Sequence, residues 1–124
     1  MTWYLLAHIL YKIHEVSRLD ELSIEELEEL LLHTLWDRYR VTLYENVWQV
    51  EGDLKTLQSF KFVDISERTV KLNIDKLMRF EYDVVRKDPI LQKSTTYWLA
   101  LLRERIDKSI ENHFQKKGVG VDHE

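Results

Sequence analysis

The chain has 124 residues, a length that fits one globular domain and argues against a multidomain enzyme. Fourteen aromatic residues supply enough apolar area for a packed core, and three Gly and one Pro leave little flexible linker. The absence of Cys excludes disulfides, thiolate nucleophiles and Cys-containing zinc sites, and it suits a reducing compartment. No apolar run reaches the roughly 18 residues of a membrane span, so we expect a cytoplasmic protein.

Charge is distributed unevenly along the chain, although the net charge is only −4. Residues 1–53 carry a net charge of −7, residues 54–93 carry +3, and residues 94–124 are balanced. Because charges act locally and are screened within about 10 Å, any anion-binding surface is expected in the middle third, from Lys55 to Lys93. The alternative is that these are ordinary solvated faces.

The first third of the sequence predicts two helices. Apolar residues recur every three or four positions from Trp3 to Val16, as expected for one face of a helix. Ser23 and Glu26 then have the spacing of a capping box at the start of a second helix, which continues to about Arg38.

A third helix is predicted over residues 43–59, because Val47, Val50, Leu54 and Leu57 again fall at helical intervals. Gly52 lies inside it and costs about 1 kcal/mol relative to Ala. The alternative is an extended piece over residues 46–51 that Gly52 ends, with Asp53 capping a shorter helix.

A β-hairpin is predicted over residues 60–73. Val63 and Ile65 alternate with polar residues before the turn, and Val70 and Leu72 alternate after it, so each arm has one apolar face. The turn itself lacks the Asn-Gly or Gly-Gly pair that is typical of tight hairpins.

The last third predicts helical structure again. Apolar spacing continues from Ile74 until Pro89 interrupts it, and a long helix starts near Trp98. Gly118 is expected to end that helix, leaving residues 118–124 as a flexible tail. The predicted fold class is therefore mainly α with a small β-hairpin, an α+β protein.

Three helices followed directly by a hairpin, with Val50, Leu54 and Leu57 leading into Val63 and then Val70 and Leu72, resemble a winged helix-turn-helix domain. The resemblance implies a winged-helix core at residues 1–73 and a C-terminal helical extension at 74–117. One departure is Lys61, which stands where the family often has Gly.

The resemblance implies a transcriptional regulator that binds double-stranded DNA, with the third helix in the major groove and the hairpin at the phosphate backbone. On that basis Tyr44 is expected to lie on the outward face of the third helix. The residues expected to contact DNA are Trp48, Gln49, Lys55, Thr56, Lys61, Arg68 and Lys71. Three carboxylates in the same segment, Glu45, Glu51 and Asp53, count against DNA binding unless they point away from it.

The C-terminal helix carries an apolar stripe with the spacing of a helix-pairing seam. Its members are Leu99, Leu102, Ile106, Ile110 and Phe114. In winged-helix regulators such outer helices often pair two subunits, so a homodimer is predicted. The alternative is that the stripe covers the domain's own core, against the first helix.

No pattern of catalytic residues is present. The five His residues lack metal-binding spacing and are assigned to the surface or to helix faces, and there is no nucleophile elbow or glycine-rich phosphate loop. We therefore expect neither an enzyme nor a cofactor. The alternative to DNA binding is a winged-helix module that binds a protein through its acidic first half and Trp48.

Overall fold

The computed structural model describes residues 2–85 and 97–122, with side chains over 3–83 and 102–115. The chain is mainly helical with a small antiparallel sheet of three strands, so the α+β class is confirmed. In chain order the elements are α1 (Thr2–Ser17), β1 (Glu21–Ser23), α2 (Ile24–Glu29), α3 (Leu35–Tyr39), α4 (Val47–Ser59), β2 (Val63–Ser66), β3 (Thr69–Leu72), α5 (Ile74–Phe80) and α6 (Tyr97–Asp122).

Helix α1 lies at the centre of the fold. Leu6, Ile9, Leu10 and Ile13 are fully buried, and the helix packs against α4, α5 and α6. A helix that is apolar on nearly every side is typical of such a central position. The predicted first helix is confirmed.

The second predicted helix consists of α2, a π-helical turn at Leu30–Thr34 and α3, which follow one another without a break. Ser23 caps its start by accepting a hydrogen bond from the Glu26 N–H at 3.0 Å. In a regular α-helix, residues spaced four apart move gradually around the helix axis. The wider π-helical turn has more residues per turn and offsets this movement. As a result the buried leucines Leu27, Leu31 and Leu35 stay in line toward the core.

Helix α4 begins at Val47, four residues later than predicted. Val41 and Tyr44 are buried in the preceding connection and hold it in a non-helical path. Asn46 then caps the helix, accepting from the Gln49 N–H at 3.0 Å. Gly52 lies inside the helix, so the alternative of an extended piece over residues 46–51 is wrong.

The hairpin is confirmed as β2 and β3, and it has a third strand that the sequence did not reveal. β1 pairs with β3, which gives the order β1-β3-β2 with every pair antiparallel. With only three residues, β1 is too short for its alternation to be recognised. Two residues form the hairpin turn, Glu67 at φ 48° and Arg68 at φ 71°, and a type I′ turn requires such positive φ at both positions.

Helix α5 is followed by a π-helical turn at Glu81–Val85. Helix α6 continues to Asp122, so the predicted end at Gly118 is wrong. A glycine ends a helix when it takes a left-handed conformation, and no described glycine has a positive φ. Residues 123 and 124 of the predicted tail lie outside the described residues.

The C-terminal apolar stripe covers the chain's own core. Ile106 and Ile110 are fully buried where α6 packs along α1, and Leu102 and Phe114 are partly buried against the same core. The side chain of Leu99 lies outside the described residues. The predicted use of Ile106 and Ile110 as a dimer seam is therefore wrong, and the alternative describes them correctly. Homodimerisation itself stays a prediction.

Candidate nucleic-acid interface

The fully exposed residues of α4 include no carboxylate, although the half-buried Glu51 lies among them. The helix turns Val50, Leu54 and Leu57 into the core. Its exposed residues are Val47, Trp48, Gln49, Gly52, Lys55, Gln58 and Ser59. Repulsion between acids and phosphates was the main objection to DNA binding. Partial burial of Glu51 and Asp53 reduces that repulsion, while Glu45 stays exposed just before the helix.

The two acids within α4 are partly buried. Asp53 accepts a hydrogen bond of 2.7 Å from the hydroxyl of Tyr44. Burial and this bond to a carboxylate both raise the pKa of Tyr44, so the hydroxyl stays protonated and donates. Tyr44 was expected to face outward, and that expectation is wrong: its ring is buried against the core.

Gln49 and Thr56 are on α4, but the side-chain oxygen of each already has a hydrogen bond within the chain. The Gln49 side-chain oxygen accepts from the Glu45 N–H at 2.7 Å and so extends the helix cap. The Thr56 hydroxyl donates to the carbonyl of Gly52 at 3.1 Å. Bidentate reading of adenine by Gln49 requires its oxygen to leave that bond.

Trp48 is the most exposed large apolar side chain of the described residues, with 81% of its surface accessible. It lies in the first turn of α4, one turn before Gly52 and two turns before Lys55. Lys55 is also exposed, and no ion pair links it to a carboxylate of the described residues.

Lys61 lies two residues after the end of α4 and has a left-handed backbone, with φ 65°. Its N–H donates to the Gln58 carbonyl, and the Phe62 N–H donates to the Leu57 carbonyl, each at 2.9 Å. These two bonds form a Schellman motif, which normally has Gly at this position. The turn into β2 therefore keeps the geometry that Gly would give, with a lysine in its place.

An open groove of about 710 Å³ lies beside this turn, with Lys61 and Lys71 on its lining. Asp64 and Asp75 also line it, so its charge is balanced. Lys71 is exposed on β3, opposite Asp64 of β2 and Glu21 of β1 in the register of the sheet. Two flanking acids weaken its attraction for an anion.

Arg68, at the hairpin turn, is attached to α2. Its Nε lies 2.8 Å from a Glu25 carboxylate oxygen and its guanidinium 3.8 Å from Glu28. The bond to Arg68 is among the causes that lower the pKa of Glu25, after the hydrogen bond from the Glu25 backbone. Because the pair is exposed to solvent, it can be exchanged for a pair with a phosphate.

A second group of titratable side chains is buried where α1 meets α6. His8 Nδ1 lies 2.5 Å from a Glu81 carboxylate oxygen, and its Nε2 lies 2.5 Å from Asp107. Burial disfavours the charged ring, but the hydrogen bonds and charges of Asp107 and Glu81 outweigh it and raise the pKa of His8 to about 9. The ring is an imidazolium at neutral pH.

Sequence analysis assigned the histidines to the surface or to helix faces, and His8 lies on a helix face that is buried. His8 lies within the apolar run of α1, where every side of the helix is covered and a polar ring needs partners. Glu81 likewise falls at an apolar interval of its helix. A titratable residue at an apolar position of a helix is the signal that sequence analysis missed, and it occurs at both His8 and Glu81.

The buried cluster does not form a metal site. The two carboxylates bind opposite nitrogens of the ring, so the three side chains do not converge on one point. Across the described residues no group of three or more His, Asp or Glu is placed to hold an ion.

Comparisons with protein-family models, with curated proteins and with solved structures found no match to this chain. Within residues 2–85 and 97–122, no helix is long and apolar enough to cross a membrane.

Proposed function

We propose that this protein is a winged helix-turn-helix transcriptional regulator that binds double-stranded DNA. In this proposal α1, the α2–α3 rod and α4 are the three helices, β2 and β3 are the wing, and β1 completes the sheet. The observation that supports the proposal is the exposed face of α4, which presents an aromatic residue and a lysine, while Glu51 and Asp53 of the same helix are partly buried. Helix α4 enters the major groove with this face.

Four cations supply phosphate contacts in this arrangement. Lys55 lies on α4 and Lys61 at its end, and no ion pair holds either of them among the described residues. Lys71 and Arg68 lie on the wing, where Arg68 exchanges Glu25 for a phosphate. Such contacts position the protein, and base edges read by Trp48, Gln49 and Thr56 provide sequence preference.

The test begins with selection of a preferred duplex from a random pool by the full chain, followed by affinity measurements in rising salt. Neutralisation of four phosphates predicts that log affinity falls with log salt at a slope of about −3 to −4. No enrichment of any duplex, with no salt-dependent binding, would refute the proposal.

A matched pair of charge reversals locates the interface. Lys55→Glu is expected to weaken binding of the selected duplex by about tenfold or more at low salt, because it places an acid against phosphates. Lys108→Glu makes the same change of net charge on α6, where Lys108 is exposed and paired with Glu104 at 3.2 Å. Equal losses in the two variants would mean that only net charge matters and that α4 is not the contact.

The second candidate is a winged-helix module that binds a protein partner and no nucleic acid. The exposure of Trp48, with Val47 beside it at 38% accessible, favours it, because Trp is enriched at the centres of protein interfaces. Binding of this kind is expected to depend on Trp48 and to show little salt dependence. Loss of duplex binding in Lys55→Glu but not in Trp48→Ala would count against it.

A further inference from the structure

A glycine stands in the middle of the exposed face of α4. Gly52 has helical backbone geometry, and it lies one turn after Trp48 and one turn before Lys55 and Thr56. Glycine is among the least favourable residues inside a helix, since it loses the most backbone freedom on folding. Its presence therefore needs a reason.

The fold supplies none of the usual reasons. A positive φ would require glycine, but Gly52 has none. Close packing would require it too, yet a Cβ built at Gly52 meets no atom within 4 Å. Helix α4 also continues through the position without a break, so glycine does not end the helix there. Alanine would fit this site and favour the helix.

What glycine provides here is an uncovered stretch of backbone facing solvent. Trp48 projects on one side of it and Lys55 on the other, and both are exposed. The Gly52 carbonyl already accepts the Thr56 hydroxyl, which holds that side chain close to the helix. The exposed surface of the helix therefore has a depression at Gly52, between a large aromatic ring and a cation.

We propose that Gly52 is the point where bound DNA comes closest to α4, with base-pair edges in the major groove packed directly on the helix backbone. Trp48 and Lys55 then flank the contact, with the ring against neighbouring base edges and the ammonium on a phosphate. This inference rests on the proposed function. It states that Gly52 determines how deeply α4 enters the major groove. A Cβ at this position holds the helix away from the bases.

The test is Gly52→Ala in the full chain, with stability and DNA affinity measured on the same protein. The unfolding midpoint is expected to rise by about 3–5 °C, because alanine favours the helix and meets nothing. Affinity for the selected duplex is expected to fall about tenfold or more, because base contacts lengthen. A variant that is more stable and binds less tightly cannot owe its loss of binding to misfolding.

Gly118→Ala is the matched control, since it makes the same substitution inside α6. It is expected to leave duplex affinity unchanged. If Gly52→Ala binds the duplex as tightly as the unaltered chain, the inference is overturned while the proposed function stands. If the unaltered chain binds no duplex, the proposed function fails first, and loss of stability in Gly52→Ala would overturn the premise that the fold has no need of glycine.

Discussion

Where α1 meets α6, a charged residue that burial disfavours has partners within the chain, whereas two residues of α4 that are unfavourable at their positions have no such compensation. His8 is a buried cation, and Glu81 and Asp107 hold both of its ring nitrogens. By contrast, Gly52 and the exposed Trp48 gain nothing inside the described fold that a more ordinary residue would not.

The contrast separates two kinds of constraint on the sequence. Buried positions are explained by packing and by satisfied polar groups, which is what folding requires. Positions that break local preferences without compensation in the fold are expected at functional surfaces. This is the physical ground on which we propose that α4 and the turn after it bind a partner.

The largest effect is expected from His8→Ala. Removal of the cation takes away the ring that both Glu81 and Asp107 bind, and breaking a buried ion pair costs about 3–5 kcal/mol of unfolding free energy. Urea unfolding at neutral pH measures the loss. His14→Ala, in the same helix but half-exposed, is the control and should lose much less; similar losses would show that the buried cluster adds little.

Stability is also expected to fall with rising pH. The folded pKa of His8, about 9, lies above its ordinary value of 6.5, so the contribution is complete below pH 6.5 and is lost as pH rises through 9. The loss amounts to about 3 kcal/mol, since one pKa unit corresponds to about 1.4 kcal/mol.

Urea unfolding of the unaltered chain and of His8→Gln between pH 6 and 9 tests this dependence. The other described groups with resolved shifts titrate outside that window: Lys12, Arg68 and Tyr44 have raised pKa values, and Glu25 has a lowered one. His8→Gln should therefore flatten the profile. An equally steep profile in both proteins would assign the pH dependence to another group.

A smaller effect of opposite sign is expected from Lys61→Gly. The left-handed backbone at Lys61 is unfavourable for a residue with a Cβ, so glycine should stabilise the chain by about 1 kcal/mol. Lys55→Gly is the control, because inside α4 the same substitution should destabilise by about 1 kcal/mol. If the unfolding free energy changed in the same direction in both variants, the result would argue against the left-handed turn at Lys61.

The smallest effect is expected from Arg68→Ala. Its ion pairs with Glu25 and Glu28 are exposed, and pairs of this kind often contribute nothing measurable to stability. The unfolding midpoint should stay unchanged, while duplex affinity falls and the salt slope loses about one unit. A clear loss of stability would mean that the pair anchors the hairpin to α2.

Much of the fold could be predicted from the spacing of apolar residues. Leu6, Ile9 and Ile13 in α1, and Val50, Leu54 and Leu57 in α4, are buried as their intervals indicate. The start of α4 at Val47 could not be predicted, because Leu43 lies four residues before Val47 and continues the helical spacing. Only the burial of Tyr44 and its hydrogen bond to Asp53 show that the chain before Val47 follows another path.

The candidate interface could be predicted in part. Trp48 and Lys55 are exposed on α4 as expected, since they lie opposite the buried stripe. The bonds that occupy Gln49 and Arg68 could not be foreseen: Gln49 bonds to the backbone of the preceding turn, and Arg68 reaches an acid 43 positions away. Sequence periodicity reports which face of an element is buried, not which side chains meet across the fold.

The sequence by itself determined the helices, the hairpin and the core residues, because local spacing decides which faces must leave water. Only the tertiary structure decided that β1 joins β3, that the C-terminal stripe covers α1, and that His8 is charged in the core. Each of these depends on contacts between residues far apart in the chain, and such contacts leave no local pattern for a single sequence to show.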